Sequence, residues 1–501
     1  MAAEGATLIG RTIGAGSWTI GARLVAKLID LALLVCLARF LGPSAFALVA
    51  AAMAVVFIVE ALFELPMAAA LIRVPVLTRA MLDTAFTLGL LRGLCIAALL
   101  ALLAWPLSVF NHEPRLLPLV CVLALAPALR GLVSPRMVEF VRRLEFRPDV
   151  ALELSGKIVA FVVSIALAAA TGSYWAIAAA TVCTPLVATA LSYVLAPLRP
   201  RLDLSAWPHF SNMVGWNFLS QLGNAFNWQI DRLLLPRFSG SVAFGQYAMA
   251  KQISEIPDQA LLVPLQRPLM AALATPGADH RTHYLQVVRA IALVMAPVLV
   301  LLMAWPEPLV RVALGPDWMA AAHWLRLLGV VSLLGLPGLP MPAMAMIRNR
   351  ASAIALVTFS MLAARVPLVW LGALHFGIAG AIAGSAVSAA LGATLAMLVI
   401  RALIGLGVGR QLAALLPAAL SLLPAAALLL ATRDWVMATA SFAELLARAG
   451  ACGLIYLAIY GGLVLACWRL AGRPPGLEAH LVSLLRRQRG SPRRQDAADL
   501  P

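Results

Sequence analysis

The chain has 501 residues, of which 62% are hydrophobic and only 12% are charged, and its mean hydropathy is +0.93. This composition excludes a soluble globular protein of such a length and predicts an integral membrane protein. The formal net charge of +16 comes mainly from short basic segments between apolar runs, so it indicates membrane topology rather than binding to nucleic acid.

Apolar runs of about 20 residues, the length that crosses a bilayer as an α-helix, recur between residues 16 and 470. They predict an all-α polytopic membrane protein with about fourteen transmembrane helices. In chain order, the predicted spans are centred near residues 28, 56, 95, 124, 161, 185, 224, 256, 295, 332, 362, 389, 420 and 458.

Arginines concentrate in the loops that follow even-numbered spans, whereas the intervening loops carry few charges. Because basic residues in short loops stay on the cytoplasmic side, this pattern predicts that these loops and both termini are cytoplasmic. The arginines concerned are Arg73, Arg79, Arg136, Arg142, Arg143, Arg147, Arg199, Arg201, Arg348, Arg350, Arg401 and Arg410.

The first and seventh spans carry one sequence pattern twice, 198 positions apart. Trp18 returns as Trp216, and the motif at 39–46 returns at 237–244. Each copy therefore contains six spans. Because six is an even number, the two copies are parallel and related by an axis along the membrane normal, an arrangement found in transporters.

This repeat divides the chain into an N-terminal lobe, residues 1–200 with spans 1–6, and a C-terminal lobe, residues 201–402 with spans 7–12. Residues 403–472 add spans 13 and 14, and residues 473–501 form a basic cytoplasmic tail. A second match supports the division, because Gly172 before span 6 corresponds to Gly377 before span 12 at an offset of 205. The two parallel six-helix lobes are expected to surround a central cavity.

Polar side chains follow single faces of the spans that the repeat relates. Span 1 carries Arg23, Lys27 and Asp30 at helical spacing, and span 8 carries Lys251 and Glu255. The stripe on span 7 consists of Asn217, Gln221, Asn224, Trp228 and Asp231. An ionisable residue inside the membrane costs about 2.5 to 3.5 kcal/mol on insertion scales, so such residues usually face a cavity or each other. Together the stripes predict a water-filled cavity lined by spans 1, 2, 7 and 8.

An alternative stays open for individual charged residues, which could form internal ion pairs rather than line a cavity. It applies to Glu60 and Glu64 in span 2, to Lys251 with Glu255, and to Asp231, which could pair with Arg232 near a membrane boundary. It explains the span 7 stripe less well, because several neutral polar groups align there with no charge to neutralise.

Lysine is rare in the chain and is confined to predicted spans. Its three occurrences are Lys27, Lys157 and Lys251, whereas the loops use arginine. An ammonium group is a compact charge suited to phosphate. We therefore expect Lys27 and Lys251, with Arg23, to hold a pyrophosphate or another anionic head group in the cavity.

The six cysteines stand singly in apolar runs, without the spacing of a metal site or a disulfide framework, so no metal and no cofactor is predicted. The loops are short, and no extramembrane segment is long enough for a separate catalytic fold. The protein is therefore not expected to be an enzyme.

Several short segments together resemble the polysaccharide transporter family. They are Arg-Phe-Leu-Gly-Pro at 39–43, Arg-Leu-Glu-Phe-Arg at 143–147, Asp-Arg-Leu-Leu-Leu at 231–235, Gly-Gln-Tyr at 245–247, Ile-Pro at 256–257 and Leu-Gly-Pro-Asp-Trp at 314–318. The family includes the Wzx-type flippases for O-antigen and exopolysaccharide, within the multidrug/oligosaccharidyl-lipid/polysaccharide superfamily. The resemblance covers residues 10–400, and it departs from the family pattern at Ala47, where members usually have glycine, as at Gly245.

The resemblance implies a bilobed protein of the bacterial inner membrane. In such flippases an undecaprenyl-pyrophosphate-linked glycan, used for lipopolysaccharide or exopolysaccharide, passes its head from the cytoplasmic to the periplasmic leaflet by alternating access. The resemblance also implies a cationic cavity, coupling to H⁺ or Na⁺, and a polymerase and glycosyltransferases as partners in the pathway. The carboxylates to test for coupling are Asp30, Glu60, Asp231 and Glu255.

Two other functions remain as alternatives. A multidrug or metabolite exporter of the same superfamily would have a smaller and more acidic cavity. A membrane-embedded O-antigen ligase or polymerase would need a sizeable periplasmic loop with Arg and His, and the predicted outside loops are short. The mixed charges of spans 1 and 8 favour an anionic, lipid-linked substrate.

Overall fold

The computed structural model describes residues 2–64, 67–208, 216–262, 279–439 and 441–470, together with 264–265, 270, 273, 472 and 478–479. Side chains are described from residue 21 onward, except at residues 69 and 216–220. Within these residues the regular secondary structure is helical and contains no strand.

The α-helices are numbered in chain order. Their bounds are α1 Ala2–Phe40, α2 Pro43–Leu62, α3 Met67–Arg73, α4 Arg79–Asn111, α5 Leu116–Leu123, α6 Leu125–Gly131, α7 Val138–Arg142, α8 Arg147–Thr171, α9 Trp175–Leu195, α10 Trp216–Phe238, α11 Ser241–Pro257, α12 His280–Ala304, α13 Pro306–Ala313, α14 Met319–Gly335, α15 Met341–Ile347, α16 Ala351–Ile404, α17 Val408–Ala413, α18 Leu416–Met437 and α19 Phe442–Leu470. A π-helical turn, Asp258–Leu262, follows α11.

The helices account for the predicted spans. Nine helices among the described residues are long and apolar enough to cross a membrane, and the bent pair of Leu116–Gly131 with Pro135–Arg142 makes a tenth. The 54-residue helix α16 holds two predicted spans, because its backbone leaves the helical conformation at Gly377. The remaining predicted spans coincide with α1, α10 and α11, the helices that carry polar stripes. The predicted all-α polytopic fold is confirmed.

The chain forms two compact units. The first combines Met1–Ile253, Ala313–Trp324 and Thr358–Ser388. The second combines Ser254–Val312, Leu325–Val357 and Ala389–Pro501. The division into lobes at residue 200 stays a prediction from the sequence repeat.

In the first unit, the repeated motif forms a close helix contact. A Cβ atom on Gly245 would lie 1.8 Å from the Pro43 carbonyl oxygen, so α11 meets the start of α2 through the backbone. Phe46 packs edge to face against Trp318, with ring centroids 5.2 Å apart. The indole Nε1 of Trp318 donates to the Ala38 carbonyl oxygen at 2.9 Å and so fixes the end of α1. The motif therefore packs helices together.

The two matched turn glycines both have a positive φ. Gly172 has φ +59° at the end of α8, and Gly377 has φ +58° at the break in α16. A positive φ costs glycine little because it lacks a Cβ atom. The ψ angles differ, 22° at Gly172 and −140° at Gly377, so the two turns share the need for glycine but not the same conformation.

In the second unit, hydrogen bonds and ion pairs attach the last two helices to earlier ones. The Tyr456 hydroxyl of α19 donates to the Pro297 carbonyl oxygen of α12 at 2.8 Å. Glu307 of α13 lies 2.8 Å from Arg326 of α14 and 2.9 Å from Arg433 of α18. The predicted additional spans 13 and 14 are thus joined to the rest of this unit.

The start of the C-terminal tail contacts α12. The Glu478 carboxylate is buried, with 3% of the residue exposed, and lies 2.6 Å from the Arg289 guanidinium. This ion pair attaches the tail to the second unit. The arginines at 486–494 lie outside the described residues.

Candidate functional site

Four charged residues of α1 and α8 make contact in what we name the first-span cluster, Lys27, Asp30, Glu153 and Lys157, and Arg23 stands one turn before Lys27 on α1. The Lys157 ammonium lies 2.6 Å from Asp30 and 3.5 Å from Glu153. Lys27 lies 3.8 Å from the same Asp30 oxygen, and its side chain is 52% exposed. Arg23 is also exposed. Counted together with Arg23, the cluster has three cations and two carboxylates, and thus one surplus positive charge.

A second group, which we name the buried cluster, joins α10, α11 and α16. Asp231 is 1% exposed, and its carboxylate accepts from Arg365 Nη2 at 2.9 and 3.1 Å. The Tyr247 hydroxyl donates to Asp231 at 2.8 Å, and the Lys251 ammonium lies 3.5 Å away. A buried carboxylate is tolerated only when it is paired and hydrogen-bonded, and these three partners meet that need.

The two clusters occupy corresponding places in the two sequence copies. Each joins an aspartate of the first span in a copy to a cation of its fifth span. Asp231 follows Asp30 by 201 positions, and Arg365 follows Lys157 by 208. The local offset between the copies is 198 at spans 1 and 7 and 205 at the end of spans 5 and 11. The aspartate and the cation of the second copy are therefore each displaced by three residues, a rise of about 4.5 Å along a helix. The same ion pair therefore recurs in the second copy, displaced by about one helical turn on both partner helices.

The polar stripe on α10 passes from exposed to buried surroundings. Asn224 is exposed, whereas Asp231 is buried. The Gln221 amide donates to Glu64 at 2.7 Å and thereby links α10 to the chain just after α2. The side chain of Asn217 lies outside the described residues. The stripe is thus a set of residues with different environments rather than one uniform surface.

The carboxylates near the end of α2 have basic neighbours. Glu60 lies 2.7 Å from the Arg130 guanidinium of α6. Arg92 of α4 interacts electrostatically with both Glu60 and Glu64. Glu60 is therefore part of an internal ion pair, as the alternative interpretation of the sequence expected.

Glu255 lies near the end of α11. It follows Lys251 by one turn of α11 but belongs to the second compact unit, and its side chain is partly buried. Lys251 lies in the first unit, where it contacts Asp231. The structure therefore brings together Asp231 and Lys251, and separately Lys27 and Asp30.

Comparison with known proteins identifies the family. Residues 36–323, more than half of the chain, match the family described as polysaccharide biosynthesis protein. The chain belongs to this family. The lipopolysaccharide biosynthesis protein WzxC of Escherichia coli (strain K12) is 23% identical over 364 residues, which cover 68% of this chain and 70% of WzxC. The succinoglycan biosynthesis transport protein ExoT of Rhizobium meliloti (strain 1021) is 26% identical over 308 residues, covering 59% of this chain and 60% of ExoT.

A solved structure shares the fold of this polysaccharide biosynthesis protein. The lipid II flippase MurJ, in its inward closed conformation, aligns with a TM-score of 0.68 and 13% sequence identity. The alignment covers 90% of this chain and 99% of MurJ. The predicted family and the polytopic helical fold are confirmed.

Sequence reasoning missed the cationic partners of both aspartates, Asp30 and Asp231. Lys157 was singled out only as one of three lysines, and Arg365 was not considered. A signal for each was present, because a lone cation within an apolar run needs a carboxylate or water. The pairing of Lys157 with Asp30 and of Arg365 with Asp231 could not be predicted, because helical spacing within one span does not show which neighbouring span a given face contacts.

Proposed function

We propose that the protein moves an undecaprenyl-pyrophosphate-linked oligosaccharide or polysaccharide repeat unit from the cytoplasmic to the periplasmic leaflet of the bacterial inner membrane by alternating access. The names of WzxC and ExoT support a glycan substrate, and the MurJ-like fold supports a lipid-linked one. The arginine-rich even loops support cytoplasmic termini. The pathway's polymerase and glycosyltransferases are the proposed partners.

The observation that carries this proposal is the exposed, cationic face of α1. Arg23 and Lys27 are exposed on a predicted membrane span, and charged groups at that depth face water rather than lipid. The surplus positive charge of the first-span cluster favours an anionic head group such as pyrophosphate. A cationic drug would be repelled there, so the cluster favours the glycan flippase over a drug exporter.

Within this cluster we assign two kinds of role. Lys27 and Arg23 bind the pyrophosphate, because both are exposed, and the Lys27 ammonium lies 3.8 Å from Asp30, further than the Lys157 ammonium does. Asp30 positions Lys157 through the 2.6 Å ion pair, which is shorter and less exposed. An arriving phosphate therefore competes for Lys27 first and leaves the link between α1 and α8 in place.

The buried cluster has a positioning role in this proposal. Arg365 and Lys251 neutralise Asp231 and hold α10 against α16 and α11. The amides of Asn217, Gln221 and Asn224 are proposed to hydrogen-bond to the sugar. A proton or sodium gradient is the proposed energy source, and Asp30 and Glu255 are the carboxylates whose neutralisation tests it.

Replacement of both exposed cations tests the proposal. The variant R23A/K27A loses two charge-assisted contacts of about 1.5 to 3 kcal/mol each, so surface polysaccharide in a flippase-null strain should fall at least about tenfold. Lipid-linked glycan should accumulate inside the cell. The matched control R401Q/R410Q removes two exposed arginines of the predicted cytoplasmic loop after span 12 and should complement fully. Full complementation by R23A/K27A at equal protein level would refute the assignment.

A further inference from the structure

A cavity of about 710 Å³ lies at the start of α4 in the first unit, away from the two clusters described above. Its lining includes Arg79, Asp83, Tyr193, Arg199 and Arg201. Three of these residues are basic and one is acidic. The flippase mechanism proposed above uses none of them.

The cavity wall is built by hydrogen bonds between α4 and the segment at 199–207, which we name the linker and which follows α9. The Arg79 guanidinium donates to the carbonyl oxygen of Arg199. The Asp83 carboxylate accepts from the backbone N–H of Arg201 at 3.1 Å, and the Thr87 hydroxyl accepts a further linker N–H at 3.0 Å. The linker backbone therefore follows α4 over about two turns, and its arginines are held at the cavity.

The charge balance of the cavity favours an anion. Asp83 is 4% exposed and accepts from Arg79 Nε at 3.1 Å, so this pair is close to neutral. Arg199 and Arg201 are exposed and leave the lining with two surplus positive charges. Asp203, further along the linker, accepts hydrogen bonds from the backbone and side chain of Ser205, and these bonds lower its pKa.

Apolar side chains next to the arginines indicate a lipid rather than a soluble ligand. Leu202 is 73% exposed, Leu204 48% and Trp207 41%, all within the same linker. A combination of leucine, tryptophan and arginine is typical of a segment that lies in the interface between lipid head groups and acyl chains. The predicted topology places this linker at the cytoplasmic surface, where anionic lipids are attracted by basic side chains.

We propose that this cavity binds the phosphate head group of an anionic glycerophospholipid of the cytoplasmic leaflet. Arg199 and Arg201 pair with the phosphate, and the exposed leucines and Trp207 lie beside its acyl chains. Basic pockets between transmembrane helices on this side of a membrane suit such head groups. A bound lipid would fix the linker that connects span 6 to span 7, and thus the connection between the two sequence copies.

Lipid binding by the purified full-length protein tests the proposal. Native mass spectrometry measures the bound lipid while phosphatidylglycerol or phosphatidylcholine is titrated. Wild-type protein should retain phosphatidylglycerol in preference to phosphatidylcholine. R199Q/R201Q should bind phosphatidylglycerol about thirtyfold more weakly, because each of the two basic residues near an anionic lipid contributes about 1 kcal/mol. The control R401Q/R410Q, with the same change in charge, should bind like the wild type.

Three outcomes would overturn the proposal. The first is equal binding of phosphatidylglycerol by the wild type and R199Q/R201Q. The second is displacement of phosphatidylglycerol by soluble pyrophosphate at equal concentration, which would indicate a site for a free anion. The third is retention of undecaprenyl phosphate but not phosphatidylglycerol, which would assign the cavity to the carrier lipid. The preference of the wild-type protein for phosphatidylglycerol over phosphatidylcholine does not depend on the folding of any variant, so it tests the proposal even if R199Q/R201Q fails to fold.

Discussion

At the residue scale, Lys157 sets the charge of the first-span cluster. The variant K157M removes the cation between Asp30 and Glu153, so the cluster loses its surplus positive charge. We expect transport of lipid-linked glycan to fall about tenfold, as one charge-assisted contact is lost. The double variant D30N/K157M restores the surplus charge and should recover part of the activity. Surface polysaccharide in a flippase-null strain measures both, and equal activity of K157M and wild type would contradict the proposed role.

Arg365 is predicted to matter for stability more than for substrate contact. R365M leaves the buried carboxylate of Asp231 without its closest cation, and loss of one partner of a buried ion pair costs about 3 to 5 kcal/mol. The thermal midpoint of the purified protein should therefore fall. D231N/R365M should be less destabilised than R365M, because no unpaired charge remains. An unchanged midpoint in R365M would show that the pair contributes nothing to folding.

At the element scale, Gly245 allows α11 to approach the start of α2. G245A places a Cβ atom 1.8 Å from the Pro43 carbonyl oxygen, so the helices must separate. We expect a large loss of monodisperse protein in detergent. G240A is the matched control, since a Cβ atom there meets nothing within 4 Å. Normal yield of G245A would mean that this contact tolerates separation.

The helices themselves could be predicted from the sequence, because apolar runs of membrane-spanning length leave few alternatives to a helix. The break in α16 followed from the two span centres near 362 and 389 and from the match of Gly377 to Gly172. The pairing of Asp30 and Asp231 with their cations could not be predicted. The offset of 198 aligns Asp30 with Trp228, so the displacement by one turn hid the equivalence of the two ion pairs.

The environment of each polar residue was equally hidden. Helical spacing shows that Asn224 and Asp231 share a face of α10, but it does not show what lies against that face. One is exposed, and the other is enclosed by Arg365, Lys251 and Tyr247. Packing between helices decides this difference, and it is not encoded in the period of a single helix.

At the scale of the whole molecule, both sequence copies contain the same ion pair, but its exposure to solvent differs between them. In both copies an aspartate of the first span binds a cation of the fifth, yet the side chain of Asp30 is 44% exposed and that of Asp231 is 1% exposed. The exposed pair is accessible to an anionic substrate, whereas the buried pair is not. We infer that the two copies share an architecture but differ in role. The first copy contacts the substrate, and the second holds helices in position.

The central claim is that this chain moves a lipid-linked glycan between leaflets. It is tested most directly in spheroplasts of a flippase-null strain, by labelling lipid-linked glycan with a reagent that cannot cross the membrane. Expression of the wild-type chain should expose the glycan to the reagent, and R23A/K27A at the same protein level should leave it protected. Labelling that does not depend on the chain, or that is equal for wild type and R23A/K27A, would contradict the account.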